Sequence, residues 1–385
     1  MKKGIFGFVF VVAILIAGVG VAFFIQKFSA PSEVARPLTA PPPPPGGNRP
    51  IPPPSTTPPS QTPPPSTGGI APPPQNGNTS PGNFIYSFNE LKSGSLNGKV
   101  IHCSGPLFTP AHHDAYLAAF PTTKSYMVRA DINIGIGRSL IDKKVENLAA
   151  VFGKYPHELP LLSILYTMSL QSKTVVGQDK EITEGKFDAD LKKIAALIQS
   201  FHRTTFVRLA QEFNGSWNGY HQVYFANAFR YIVNLFKEQG VTNAVYMWNY
   251  MPQAQPFPYL DWYPGDDAVD WWSVDVFAEH FKQPAANAEL KKFLADAKAH
   301  GKPVIIPESG PSTLGTTDIS VWDAWFKPYF ELINADTNIK GFCYSNEDFT
   351  KTTSGIGWKD VELQNSPVKP LYQAELVKPQ YLNQQ

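Results

Sequence analysis

Between residues 99 and 346, eight β-rich runs alternate with amphipathic stretches, and few folds accept that order. The runs are KVIHCSG (99–105), SYMVRADIN (125–133), PLLSILYTM (160–168) and TTFVRLAQEF (204–213). NAVYMWNY (243–250), VDWWSVDVF (269–277), KPVIIPES (302–309) and IKGFCYSN (339–346) follow. Helical periodicity lies at 112–120, 139–153, 186–201, 224–239, 287–300 and 319–334. Strands separated by helices build βαβ units and a parallel sheet. Eight of them imply an α/β fold of the (β/α)8 TIM-barrel type. A doubly wound open sheet is the competing arrangement, and the lack of a glycine-rich phosphate loop after the first run counts against it.

The chain divides into three parts. Lys2 and Lys3 precede an apolar run over residues 5–25, long enough to cross a bilayer. Residues 1–30 therefore read as a signal-anchor or a cleaved signal peptide, with the membrane as partner through 5–25 if uncleaved. Residues 31–82 carry repeated proline runs such as PPPPP and PPPST and form a disordered Pro-rich linker. Residues 83–385 are the globular domain. The expected location is extracytoplasmic, membrane-anchored or secreted. A formal net charge of +1 gives no electrostatic case for a nucleic-acid partner.

Two cysteines, Cys103 and Cys343, exclude a disulfide scaffold and a cysteine metal site. They fall on the first and eighth runs, which are neighbours in a closed barrel. They either bridge that seam or remain buried thiols. No metal or cofactor is expected. Asp266 and Asp267 are adjacent loop acids that solvent satisfies.

In barrel enzymes the chemistry sits at the C-terminal ends of the strands. The fourth run leads into Glu212 and the seventh into Glu308. Strands four and seven lie nearly opposite in a ring of eight, so the two carboxyls face one cleft. Side-chain alternation puts Arg208, Ala210 and Glu212 on one face, and Val304, Ile306 and Glu308 on another. Paired carboxyls are what glycosidic cleavage uses, one protonated and one ionised. Aromatics make up 13% of the chain, and Trp217, Trp248, Tyr250, Trp262, Trp271 and Trp272 are candidates to stack on sugar rings. His102 is a candidate hydrogen-bonding group at the end of strand one. Asp131, Asn133 and Asn249 end strands and are weaker candidates.

The segment RLAQEFNGSWNG resembles the acid/base region of family 26 glycoside hydrolases, Arg-x-x-His-Glu-Met-Asn-Gly-x-Trp. WYPGDDAVDWWSVDVF is similar to that family's sixth-strand region and KPVIIPESG to its nucleophile strand. The resemblance implies a retaining endo-glycosidase acting on a β-linked polysaccharide. It makes Glu212 the acid/base and Glu308 the nucleophile, with Arg208, Gln211, Asn214, Trp217 and Asp275 at the matching motif positions; Trp248 and His102 join them as expected substrate-site residues from their places on strands five and one. β-Mannan is the first expected substrate, with β-glucan or β-xylan next. A non-catalytic glycan-binding barrel on a stalk is the alternative from another class. Three departures stand out. Gln211 replaces the family's histidine, Phe277 stands where tyrosine is common, and Asn346-Glu347-Asp348-Phe349 stands where a tryptophan is common.

Overall fold

The computed structural model describes residues 84–105, 110–167, 177–352 and 357–383. The apolar run at 5–25 and the linker at 31–82 lie outside the described residues. No helix among the described residues is long and apolar enough to cross a membrane.

The strands are β1 (Val100–Gly105), β2 (Met127–Asn133), β3 (Leu159–Leu165) and β4 (Thr205–Leu209). β5 (Ala244–Tyr250), β6 (Trp271–Val274), β7 (Val304–Ile306) and β8 (Ile339–Ser345) complete the set. Each pairs in parallel with its neighbours, and β8 pairs with β1, so the sheet closes into the expected (β/α)8 barrel. A two-residue strand, Tyr381–Leu382, adds to the lower end of β1. At the mouth, Val276–Phe277 pairs with Ser309–Gly310 and extends the wall beyond β6 and β7.

Helices follow the strands as the periodicity requires, among them Ile141–Lys154, Asp188–Ser200, Gln222–Glu238 and Pro284–Ala299. The expected helix at 319–334 instead opens with a π-helical turn, Trp322–Phe326, before an α-helix at Lys327–Ala335. Pro328 has no N–H to return to Ala324, which relaxes the ladder there.

Alternation sorts each strand's side chains. Trp248, Tyr250 and Trp272 face outward into the layer between sheet and helices, with Phe293 of helix Pro284–Ala299 among them. Inside, Ile101, Cys103, Met127, Leu161, Phe206, Met247 and Trp271 fill the base of the barrel. Trp271 Nε1 donates to the Leu91 and Lys92 carbonyls at 2.9 and 3.0 Å. Those carbonyls end the short helix Phe88–Ser93, which plugs the bottom. One step higher the inner positions turn polar: Arg129, Asp131, Ser163, Arg208, Asn249, Ser273 and Asp275. An apolar plug beneath a polar layer is what leaves one end of the barrel available for chemistry.

Cys103 lies directly opposite Cys343 in the β1–β8 register, and the two form a disulfide with Cα atoms 4.3 Å apart. The bond spans a sequence separation of 240 residues and fastens the seam where the barrel's first strand meets its eighth. Cross-linking a loop that long lowers the unfolded chain's entropy by the equivalent of about 5 kcal/mol. Replacing both cysteines by alanine is expected to lower the urea midpoint strongly while leaving the native circular dichroism intact. An unchanged midpoint would show that the bridge does not form in solution.

Candidate active site

Both glutamates reach the mouth, but not by simple alternation. β4 ends at Leu209, after which Ala210 and Glu212 adopt left-handed backbone with φ of 51° and 47°. Each such non-glycine residue costs roughly 1–2 kcal/mol. The turn buries Ala210 in the outer apolar layer and swings Glu212 back over the cleft. Arg208 stays inside the barrel. On β7, Val304 and Ile306 also pack outward and Ile305 inward. The shared faces expected from alternation are therefore not formed. The break at Pro307, ahead of the Ser309–Gly310 extension, brings Glu308 inward.

Glu308 sits among cations. Its Oε1 accepts from Arg208 Nη2 at 2.7 Å and lies 3.1 Å from Arg129 Nη2. Arg129 Nη1 also donates to the Pro307 carbonyl, holding the residue before the glutamate. Both guanidiniums are fully buried. Arg208 further donates to Ser163, Gln211 and Asp275. Arg129 forks onto Asp131 at 3.2 and 2.9 Å. Burial opposes ionisation of Asp131, yet Arg129 and then Arg208 hold its carboxyl below the usual range. Burial, and after it the neighbouring Glu308, pushes Asp275 well above the usual range. Each buried guanidinium thus meets a carboxyl at contact distance, Arg208 that of Glu308 and Arg129 that of Asp131.

Glu212 has the opposite setting. Burial first, then the charge of Glu308, raises its carboxyl from 4.5 to about 7. The Trp217 indole opposes the shift by donating from Nε1 to Glu212 Oε2 at 2.9 Å. Trp217 lies across Gly215, where an added Cβ would come within 2.4 Å of the indole ring. That close approach is why glycine is needed there. Asn218 Nδ2 donates to the carbonyls of Gln211 and Glu212, both at 3.0 Å, and closes the turn from the other side.

The remaining candidates divide clearly. Gln211 lines the site with its Oε1 tied to Arg208 at 2.6 Å, leaving its amide protons for a ligand. Trp217 is half-buried beside Glu212. Arg208 and Asp275 belong to the site but lie fully beneath its floor. Asn214 does not reach into the cleft. Its amide is spent on both ends of Met251, at 2.7 and 3.0 Å, and ties the loop after β4 to the loop after β5. Trp248 is corrected to a core residue, stacked on Phe213 in the outer layer, because Met247 and Asn249 take the inward positions of β5. His102 is likewise outside the site. It faces outward between the inward Ile101 and Cys103, meets Asn383 at 2.8 Å, and burial lowers its pKa to about 4. Asn133 is committed to Thr167 and Gly135. Asp267 pairs with Arg230, and Asp266 contacts Tyr263 and His300.

Three residues escaped the sequence reading. Arg129 had a signal: a charged residue within its strand, on the same face as Met127 and Asp131. Trp358 had none. It packs on Phe277 and Phe349, ring centroids 5.2 and 4.8 Å away, and brings a half-buried indole to the mouth from the segment after β8. His280 accepts from the Phe277 N–H at 2.8 Å and meets the Pro252 carbonyl at 3.0 Å, fixing the wall below Phe277.

Residues 165–307 match the profile of glycosyl hydrolase family 26. A β-1,3-xylanase of an Alcaligenes species is 26% identical over 325 residues, covering 75% of this chain and 67% of the relative. A β-1,3-xylanase of a Vibrio species is 25% identical over 282 residues, covering 66% of this chain. This chain spans 57% of that second relative's length. Among solved structures, a Cellulomonas fimi endo-β-1,4-mannanase superposes with a TM-score of 0.56 at 18% identity, covering 76% of this chain and 74% of that one. A Bacteroides ovatus β-mannanase gives 0.56 at 14% identity, covering 77% and 93%. At these identities the structural likeness speaks to the shared barrel.

The protonated form of Glu212 is the one that can donate. Its folded-state pKa is about 7, so the donor is lost as pH rises through that value. On a glycoside substrate, kcat/KM is expected to fall above about pH 7. Trp217→Phe removes a bond that favours the carboxylate and should move this alkaline limb upward. A profile flat to about pH 9, or a limb that moves down in Trp217→Phe, contradicts the assignment.

Proposed function

We propose that this chain, which belongs to glycosyl hydrolase family 26, is a retaining endo-glycosidase that cleaves a β-linked polysaccharide, with β-1,3-xylan as its substrate. The observation that carries the reading is the contrast between two carboxyls at one barrel mouth. Glu308 is bound by two buried guanidiniums, whereas burial and the charge of Glu308 raise Glu212 to about 7. The carboxyl held by guanidiniums suits the nucleophile, and the one raised to about 7 suits the acid/base of retaining hydrolysis.

In the first step Glu308 attacks the anomeric carbon and forms a glycosyl–enzyme ester. The bond to the leaving oxygen breaks, and Glu212 gives that oxygen its proton. Glu212, now ionised, takes a proton from water, and the resulting hydroxide displaces Glu308. Two inversions return the β configuration. Arg208 and Arg129 stabilise the carboxylate before attack and on release.

The sequence relatives guide the choice of polysaccharide. The two that align over 75% and 66% of this chain are β-1,3-xylanases. The mannanases share 14–18% identity and bear on the fold. β-1,3-Xylan therefore moves ahead of β-mannan, the first expectation from the strand motifs. Gln211 and Phe277 support a site unlike that of a typical family mannanase. The apolar run at 5–25 and the proline-rich 31–82 support an extracytoplasmic enzyme, tethered to a membrane or secreted.

Release of reducing ends from β-1,3-xylan, β-1,4-xylan, β-mannan and β-glucan tests both levels of the proposal. The expected result is release from β-1,3-xylan, abolished in Glu308→Gln with unchanged folding. Preferred release from mannan would overturn the substrate. Binding without release from any polymer would make the barrel a sugar-holding module.

A further inference from the structure

We propose that Asn249 is a positioning residue that keeps the Glu212 carboxyl over the cleft by clamping its left-handed backbone to the charge layer beneath. This rests on the reading of Glu212 as the acid/base and adds a residue to it. Asn249 is on β5, faces the barrel interior and is fully buried. Its Oδ1 accepts the Glu212 backbone N–H at 2.7 Å. Its Nδ2 donates to Asp275 Oδ1 at 3.2 Å. Its own carbonyl accepts the Phe213 N–H at 3.4 Å. One residue thus holds two successive amides of the turn.

The need for the clamp comes from the turn itself. Glu212 has a Cβ and a φ of 47°, a conformation that persists when its surroundings enforce it. Asn218 secures the carbonyl side of the same peptides, and Asn249 secures the N–H side. A side-chain amide suits this place because it offers an acceptor at one end and donors at the other. The acceptor meets a backbone N–H, and the donor meets a carboxyl. From Asp275 the connection passes to Arg208, and from Arg208 to Glu308. The backbone of the acid and the carboxylate of the nucleophile are therefore referenced to one buried network. Without Asn249 the N–H of Glu212 is unpaired, and the turn can relax toward extended backbone. That relaxation carries the carboxyl away from the leaving oxygen and leaves Glu308 in place.

The signature of misplaced acid catalysis is dependence on the leaving group. A dinitrophenolate departs without a proton, whereas a sugar alkoxide does not. The test compares kcat/KM on β-1,3-xylan with kcat/KM on the dinitrophenyl glycoside of its disaccharide. Both report the glycosylation step. Asn249→Ala is expected to lose roughly tenfold to a hundredfold on xylan and to stay within about threefold on the activated glycoside. Asn249→Leu, of similar volume and without polar atoms, should behave alike and covers the case in which the alanine variant fails to fold. A parallel loss on both substrates, or no loss on xylan, overturns the inference. Glu212→Ala is the control. If it spares xylan hydrolysis, the acid/base assignment fails, and that outcome is distinct from a failure of Asn249 alone.

Discussion

Two guanidiniums buried under the mouth of the barrel set the terms for everything above them. Arg129 and Arg208 are shielded from water, and a buried cation without a counter-charge costs several kcal/mol. Glu308 and Asp131 supply the compensation at contact distance. The same pairing gives Glu308 two guanidinium neighbours inside the barrel mouth. Fold and chemistry thus share one requirement. Removing either arginine would leave its carboxyl partners without that donor.

The second carboxyl draws its character from what it lacks. Among the described residues no arginine pairs with Glu212, and its carboxyl accepts from the neutral Trp217 indole. Burial and the charge of Glu308 therefore dominate. The asymmetry between two chemically identical side chains comes from their backbones. The break at Pro307 brings Glu308 down to the arginines. The left-handed turn after β4 lifts Glu212 clear of them. Gly215, Asn218 and Asn249 are the residues that make that turn affordable.

Much of the architecture was legible in the chain because periodicities of two and of 3.6 alternate cleanly. The order of eight strands, the opposed glutamates and the candidate bridge from Cys103 to Cys343 all follow from that alternation and barrel closure. The local route to the site was not legible. Ala210 and Glu212 are non-glycine residues at positive φ, so no residue type announces the turn. Extending strand parity through it put Ala210 beside Arg208, where the structure does not. For Trp248 and His102, nearness to a strand end was a poor guide. Each lies between inward neighbours, and the inward set becomes clear once the floor residues Cys103, Met247 and Trp271 are known. Trp358 lay beyond reach because its contact with Phe277 links segments 81 positions apart in the chain.

The central claim is that Glu308 becomes covalently bonded to sugar while Glu212 handles protons. A fluorinated xyloside with an activated leaving group forms the ester quickly and releases it slowly, so the intermediate can be trapped. Peptide mapping of the trapped protein by mass spectrometry reads the bonded residue directly. The account predicts one added glycosyl unit, carried on Glu308. A label on Glu212, or turnover with inverted product and no adduct, contradicts it.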